Sequence, residues 1–492
     1  MAGSAAESQP RVLAAPRRHR ASGVALTERR ITLSALWARL FAPVDAASIG
    51  VFRIAFGGLM LWEVFRYVQY GWIARYYIDP AYTFPYIGFS WVQPWAGNGM
   101  YYHFAGLAIL SVLLMLGIWY RVISVLFFLT FTYIFLLEKA HYLNHFYLIS
   151  LLSFILIFVP ANRAFALSFR RHKKRASLSH TVPTWTLWLL RAQLTIVYFY
   201  GGIAKLNGDW LRGEPMRMWL RDRTEFPIIG RWFTEEWMVY AFSYGGLLFD
   251  LTIAPLLLWS RTRPYAFIAA LFFHLSNNEL FQIGIFPWMA LAATILFFPP
   301  SLPRRLFGGV KPHVVKPRRR NPLAADLAPA AIALQPGQRA VVALLALFLA
   351  VQVLMPVRHY LYPGNVAWTE EGHRFSWRMK LRAKGGSIAL FMTDPATQTI
   401  TQIDPDQYLT GRQTAQIATH PDMLVQFSHY LEGQLREQGY GDVEIRAQAM
   451  VSLNGREPQL IVDPEVDLTA IHLGPGHEEW ILPLTTPLRS SD

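Results

Sequence analysis

Nine apolar stretches, each close to the ~20 residues a helix needs to cross a bilayer, constrain this chain more than any other feature. They lie at about 46–68, 101–119, 121–138, 144–160, 184–206, 237–259, 264–281, 283–299 and 339–357. Within hydrocarbon every backbone polar group must be satisfied inside its own segment, so runs of this length read as helices. Some follow one another after one or two residues, which leaves room for short or re-entrant helices there. Of the 492 residues 53% are hydrophobic and only 16% charged, below the ~25% charge of soluble domains. The net charge of +14 would suit a nucleic-acid partner, but the basic residues stand between the apolar runs, where membrane topology accounts for them. No nucleic-acid partner is expected. The absence of cysteine excludes disulfides, thiolate nucleophiles and Cys-type metal sites.

The gaps alternate in charge. Arg163, Arg170, Arg171, Lys173, Lys174 and Arg175 follow the fourth run, Arg261 and Arg263 the sixth, and Arg304 to Arg320 the eighth. With the N-terminal arm they fall on one side, the cytoplasmic side by the positive-inside rule. The opposite gaps, 69–100 and 207–236, are aromatic. Residues 1–42 read as a disordered basic arm, 43–300 as a transmembrane domain, 301–338 as a basic Ala/Pro cytoplasmic linker and 339–358 as the last span. From 359 to 492 the chain is soluble in character. Ser387–Thr393, Thr399–Ile403, Val443–Ala449 and Gln459–Val462 read as strands, and 421–438 as a helix. The fold class is therefore an all-α polytopic membrane bundle of about nine transmembrane helices followed by a β-rich soluble extracytoplasmic domain, periplasmic or lumenal.

Lys205 closes the fifth run, and Asn207, Gly208, Asp209 and Trp210 follow it as a polar turn. A lysine at a helix end can simply snorkel to the headgroups. The same outer level, however, carries Asn144 and His145 in Leu143-Asn144-His145-Phe146-Tyr147-Leu148, His274 and Asn277 near the end of the seventh run, and Arg221 in the loop after Lys205. One histidine alone reads as a helix–helix hydrogen-bond partner. Four clusters at one depth point to a chamber, because polar groups in lipid face a cavity or each other. His141 and His145 have a spacing that one helix face could bring together. With no third ligand, no HExxH and no GxSxG in the chain, neither a metal nor a nucleophilic triad is expected.

Leu143-Asn144-His145-Phe146-Tyr147-Leu148, then Tyr198 to Gly202 with Lys205-Leu206-Asn207-Gly208-Asp209-Trp210, then Phe273-His274, Asn277, Leu280-Phe281 and Ile283-Gly284, in that order, resemble the vitamin K-dependent γ-carboxylase family, whose membrane part is the horizontally transferred transmembrane domain. The likeness runs from about Gly50 to Phe298 and resumes at Phe375-Ser376-Trp377-Arg378-Met379. The resemblance implies a membrane enzyme that oxidises reduced vitamin K, or a menaquinol-like naphthoquinol, with O2 and uses the base so generated to add CO2 to a glutamate of a secreted or periplasmic polypeptide. Lys205 matches the family's catalytic base, which burial in apolar surroundings would keep neutral, and His145 matches the histidine that supports charge at the substrate. His274, Asn277 and Asn144 would line the quinone or carboxylate pocket. Arg221 would suit a substrate carboxylate through its planar fork, and Asp209 and Trp210 would fix the turn that aims Lys205. The lack of the disulfide by which animal carboxylases tie the outer domain to the membrane part implies a non-animal member. Two other readings stay open: a quinol-oxygenating enzyme of the same family with another substrate, and a transporter in which Lys205 pairs an anion.

Overall fold

The computed structural model describes residue 3 and residues 33–167, 180–307, 334–474 and 476–488. Most of the N-terminal arm, part of the basic loop after the fourth run and the centre of the linker lie outside the described residues. In chain order the helices are α1 (Leu33–Phe41), α2 (Ala47–Gln69), α3 (Trp72–Tyr77), α4 (Gly99–Leu116), α5 (Tyr120–Leu137), α6 (Asn144–Phe158), α7 (Thr184–Lys205), α8 (Gly208–Leu211), α9 (Met216–Arg221), α10 (Glu236–Leu258), α11 (Arg263–Phe281), α12 (Phe286–Ala293), α13 (Leu302–Phe307), α14 (Pro336–Val357), α15 (Val366–Thr369), α16 (Gly411–Ile417) and α17 (Pro421–Glu437). The arm expected to be disordered through residue 42 thus ends in a helix: α1 packs against α7, with Trp37, Leu40 and Phe41 partly buried.

All nine apolar runs fall on helices, but about nine spanning helices are not confirmed among the described residues. Six described helices, α2, α4, α5, α7, α10 and α14, are long and apolar enough to cross a membrane. Helix α6 has only 15 residues, and α12 only 8 before a 3-10 turn takes over. Helix α11 is long enough, but Arg263, Asn277, Asn278 and Glu279 make it too polar for that set. The bundle has two distinct ends. At one, short strands β1 (Pro43–Asp45) and β2 (Thr181–Pro183) pair antiparallel, and Arg304 is ion-paired with Asp45. Arg163, Arg263 and Arg304 are at this end. The C-terminal domain sits on the other.

Close packing needs small residues. A side chain on Gly202 of α7 would lie 2.6 Å from Leu251 of α10, and a Cβ on Gly201 would stand 3.2 Å from Asp250 Oδ2. The glycine pair is what lets α10 approach α7 at the level of Lys205. Arg53, buried inside α2, donates to the carbonyls of Leu114, Met115 and Phe165. A cation there satisfies the free carbonyls at the C-terminus of α4 and opposes its dipole.

The C-terminal domain is built on an antiparallel sheet in the order β4-β3-β5-β6, from β3 (Lys384–Thr393), β4 (Ile400–Ile403), β5 (Glu444–Leu453) and β6 (Gln459–Leu460). The alternation expected of a half-buried strand is plain in β5, where Ile445, Ala447, Ala449, Val451 and Leu453 are all buried. They share one core with Met423, Leu424, Phe427 and Leu431 of α17. Between α15 and β3 the chain dips toward the bundle. Trp377, 1% exposed, joins the membrane-side core, with its ring stacked 4.9 Å from that of Tyr147. Phe375 and Trp377 both have positive φ, +63° and +56°, a conformation costly for bulky side chains and held only where packing over-determines it.

Candidate functional site

Lys205 ends α7 and is only 6% exposed. Its Nζ lies 2.6 Å from Asp250 Oδ2 of α10 and donates to Gly201 O at 3.2 Å. Asp250 is equally buried. The expectation of a lysine under a purely apolar roof is corrected: a carboxylate faces it, in a position that the Gly201–Gly202 approach opens. The Trp210 ring stands 5.3 Å from Nζ. Its indole N–H donates to Ser243 O, and Ser243 Oγ donates back to Trp210 O. Asn207 caps α8 by accepting from Trp210 N. This turn, with α10 behind it, sets where the lysine points.

From Asp250 a line of contacts crosses the bundle. Its neighbour Phe249 packs on Tyr198, on Phe273 with ring centroids 3.8 Å apart, and on His274. Tyr198 Oη is 2.9 Å from His274 Nε2, and His274 Nδ1 is buried without a partner among the described residues. Phe286 lies between the two histidines, 6.0 Å from His274 and 6.4 Å from His145. Beyond His145, Arg66 is ion-paired with Glu63 at 2.7 Å and lies against the rings of Trp62 and Trp72. Arg66 and His145 both face the space beside Gly284, whose φ of +68° suits glycine. Lys205, His274 and His145 therefore belong to one run of side chains, with Asp250, Tyr198, Arg66 and Glu63 filling it in.

The other expected residues divide. Asn144 starts α6, where Tyr142 Oη donates to its Oδ1 and its Nδ2 donates to Arg378 O. Its amide thus fastens the inserted 375–379 segment to the bundle. Asn277 is half-buried, three residues after His274 on α11. Arg221 is exposed at the end of α9, beside Glu214 and Glu236, and lines none of these contacts. Asp209 was expected to fix the lysine turn. It takes a bidentate pair from Arg456, 2.7 Å from each Nη, and a 2.8 Å bond from Asn454. Burial pushes its carboxyl up, but these donors outweigh that and hold it below the usual range. Asp209 thus ties the lysine turn to the end of β5. His141 lies in the turn before α6, its ring 4.0 Å from that of Tyr76, so it does not share a helix face with His145.

A second tie holds the domain to the outer ends of α5 and α6. Lys139 and Arg374 both pair with Asp422, at 2.8 and 2.7 Å. Glu138 accepts from Ala140 N, Phe84 N and Gln413 Nε2. Its carboxyl is pushed up to about 7, because burial outweighs those bonds. Asp250, Glu63 and Arg66 had one signal in the sequence, since an ionisable residue inside an apolar run marks a functional position by default. Applied to every run rather than to helix ends, that rule would have found them.

Residues 41–301 match the family described as HTTM domain, and residues 337–487 match the one described as vitamin K-dependent gamma-carboxylase, lumenal domain. No solved structure matches the chain. With six apolar helices, this makes an integral membrane protein with a lumenal-type C-terminal domain.

Proposed function

Because the chain belongs to the vitamin K-dependent gamma-carboxylase family, we propose that it is a naphthoquinol-dependent γ-glutamyl carboxylase, coupling epoxidation of the quinol by O2 to addition of CO2 at a polypeptide glutamate on the lumenal side. The observation that carries this reading is Lys205, excluded from water and paired with Asp250 beneath the C-terminal domain. Met379 of the inserted segment packs on Gly201, one turn before it.

The surroundings suit a reduced naphthoquinone. Phe249, Phe273 and Phe286 offer aromatic surface, and the unpartnered His274 Nδ1 would hold a quinol oxygen. When bound, the quinol supplies the electrons for oxygenation and, through its oxygenated form, the base that carboxylation needs. The protein's share is to move and hold protons. Lys205 Nζ takes the quinol proton as general base, a role that requires the neutral amine beforehand. Asp250 compensates the ammonium so formed, which would otherwise be a buried unpaired charge. Tyr198 orients the His274 ring. His145, on the far side of Phe286, supports negative charge at the substrate glutamate.

The test uses purified full-length protein in detergent with a reduced naphthoquinone and O2, and chromatography for the epoxide. Wild type should form epoxide and Lys205→Ala should not; labelled CO2 should enter a Glu-containing peptide with wild type. Epoxide without label would remove carboxylation and leave quinol oxygenation. No epoxide from folded wild type would overturn the enzymatic reading.

A further inference from the structure

A cavity of about 220 Å³ lies not at Lys205 but where the C-terminal domain meets the outer ends of α5 and α6. Neither Lys205, Asp250, Trp210 nor His274 lines it. Its walls carry Lys139, Arg374, Arg382 and Arg412, with Glu370 as the one carboxylate. Arg382 of the wall and Lys384 behind it pair with Glu370 at 2.6 and 2.9 Å, while Asp422 serves Lys139 and Arg374. Five cations thus share two carboxylates. Arg412 pairs with no carboxylate among the described residues; its Nε donates only to Ala140 O at 3.3 Å.

The two histidines in the wall do not add to the charge. Burial, first, and the nearby arginines hold the His373 imidazole well below its ordinary value and bring His420 to about 3. Glu370 stays ionised, because Arg382 and Lys384 outweigh the upward push of burial. Burial brings Lys139 and Lys384 down to about 8, so at pH 7 all five cations face the two carboxylates, and at higher pH the surplus rests on Arg374, Arg382 and Arg412. A concave site lined by one sign of charge concentrates counter-ions, and planar guanidinium forks match trigonal oxyanions bidentately. The volume is below the ~300 Å³ at which pockets for drug-sized ligands begin, and suits one side chain or a small ion. Leu143 and Arg412 are exposed members of the lining, so the cavity is reached from outside. Asn144, one residue before His145, is part of the wall.

We propose that this cavity is an oxyanion site for a carboxylate or hydrogencarbonate group, separate from the Lys205 centre. Arg412 is the cation left free to bind the incoming anion. Two sources share this chemistry, the side chain of an acidic peptide and free hydrogencarbonate.

The test is equilibrium binding to the full-length protein in detergent, without quinol, so that it does not depend on turnover. The probes are a fluorescent peptide with one central Glu, its Gln counterpart, and hydrogencarbonate or acetate as competitors. The variant is Arg412→Glu, an exposed position on a short helix, with the exposed Arg436→Glu as control. Expected is binding of the Glu peptide at least about tenfold tighter than the Gln peptide, weakened about tenfold by Arg412→Glu and unchanged by Arg436→Glu, consistent with one charge-assisted pair. Hydrogencarbonate that binds and responds to Arg412→Glu, where the peptide does not, assigns the site to the free ion. Binding of neither probe, or equal loss in both variants, overturns the proposal. Epoxide formation with no anion binding would reject this site while leaving the quinol reading intact.

Discussion

Breaking the Asp209–Arg456 pair should release the C-terminal domain from the lysine turn. The pair is bidentate, with both contacts at 2.7 Å and side chains only 11% and 8% exposed. Unit charges ~4 Å apart attract by about 4 kcal/mol at an effective dielectric of 20. Removing one partner of a buried pair costs ~3–5 kcal/mol, because the other is left charged and unpaired. Arg456→Met also removes its bonds to Thr486 O and Leu453 O, whereas Asp209→Asn keeps the shape and loses the charge. Each single change should therefore weaken docking by about 3 kcal/mol, an increase of roughly 100-fold in local opening. Hydrogen exchange at the amides of Asn454 and Arg456, which bond to Ala383 O and Leu453 O, reads that opening residue by residue. The double variant should cost less than the sum of the singles by at least ~1.5 kcal/mol, the coupling of a direct pair. The sign with pH follows from the lowered Asp209 carboxyl: its contribution is present above the ordinary carboxylate range near 4 and is lost as pH falls through the lower folded value. Unchanged exchange in Arg456→Met, or strictly additive singles, would refute the account of Asp209 as an interdomain tie.

Two further outcomes follow. Asp250→Asn keeps a hydrogen-bonding group near Lys205 but removes the compensating charge, so epoxide formation should fall about 10²-fold, the usual scale for impaired general-base catalysis, with the KM for quinol little changed; an unaffected rate would remove Asp250 from the mechanism. Glu138 has its carboxyl raised from 4.5 to about 7 by burial, so the folded state holds a proton that the unfolded state gives up between those values. That stabilisation is complete below about pH 4.5 and lost as pH rises through 7, at most about 3 kcal/mol. The melting temperature of wild type should therefore drop between pH 5 and 8 by more than that of Glu138→Gln, and parallel profiles would count against it.

The sequence carried the long helices, the strands of the C-terminal sheet and the order of the motifs, because these depend on local patterning. The apolar runs locate α2, α4, α5, α7, α10 and α14 nearly to their ends, and period-two alternation locates β3 and β5. It carried less about which helices span, since α6 and α12 are apolar but short, and length is decided where neighbours end them. Within the site it marked Lys205, His145 and His274 and missed Asp250. The reason is geometrical. Counted from the start of α10, Asp250 is 14 residues in, which at 1.5 Å per residue is about 21 Å from the outer end and so looks mid-membrane. The first turns of α10, however, do not lie beside α7. Glu236 pairs with Arg217, Ser243 with Trp210, and Tyr244 donates to Leu211 O, so these turns pack on the loop and short helices that follow Lys205. Helix α10 thus rises beyond the end of α7, and its fifteenth residue comes level with the last turn of its neighbour. Depth read along one helix is a good guide to where that helix meets the headgroups, but not to what stands across from it. The crossing level of α7 and α10 is set by Gly201 and Gly202, and a pair of glycines in an apolar run announces close approach without naming the partner. Once that partner is known, the lysine ceases to be a residue reaching for water: a snorkelling amine has no use for a carboxylate buried as deeply as itself.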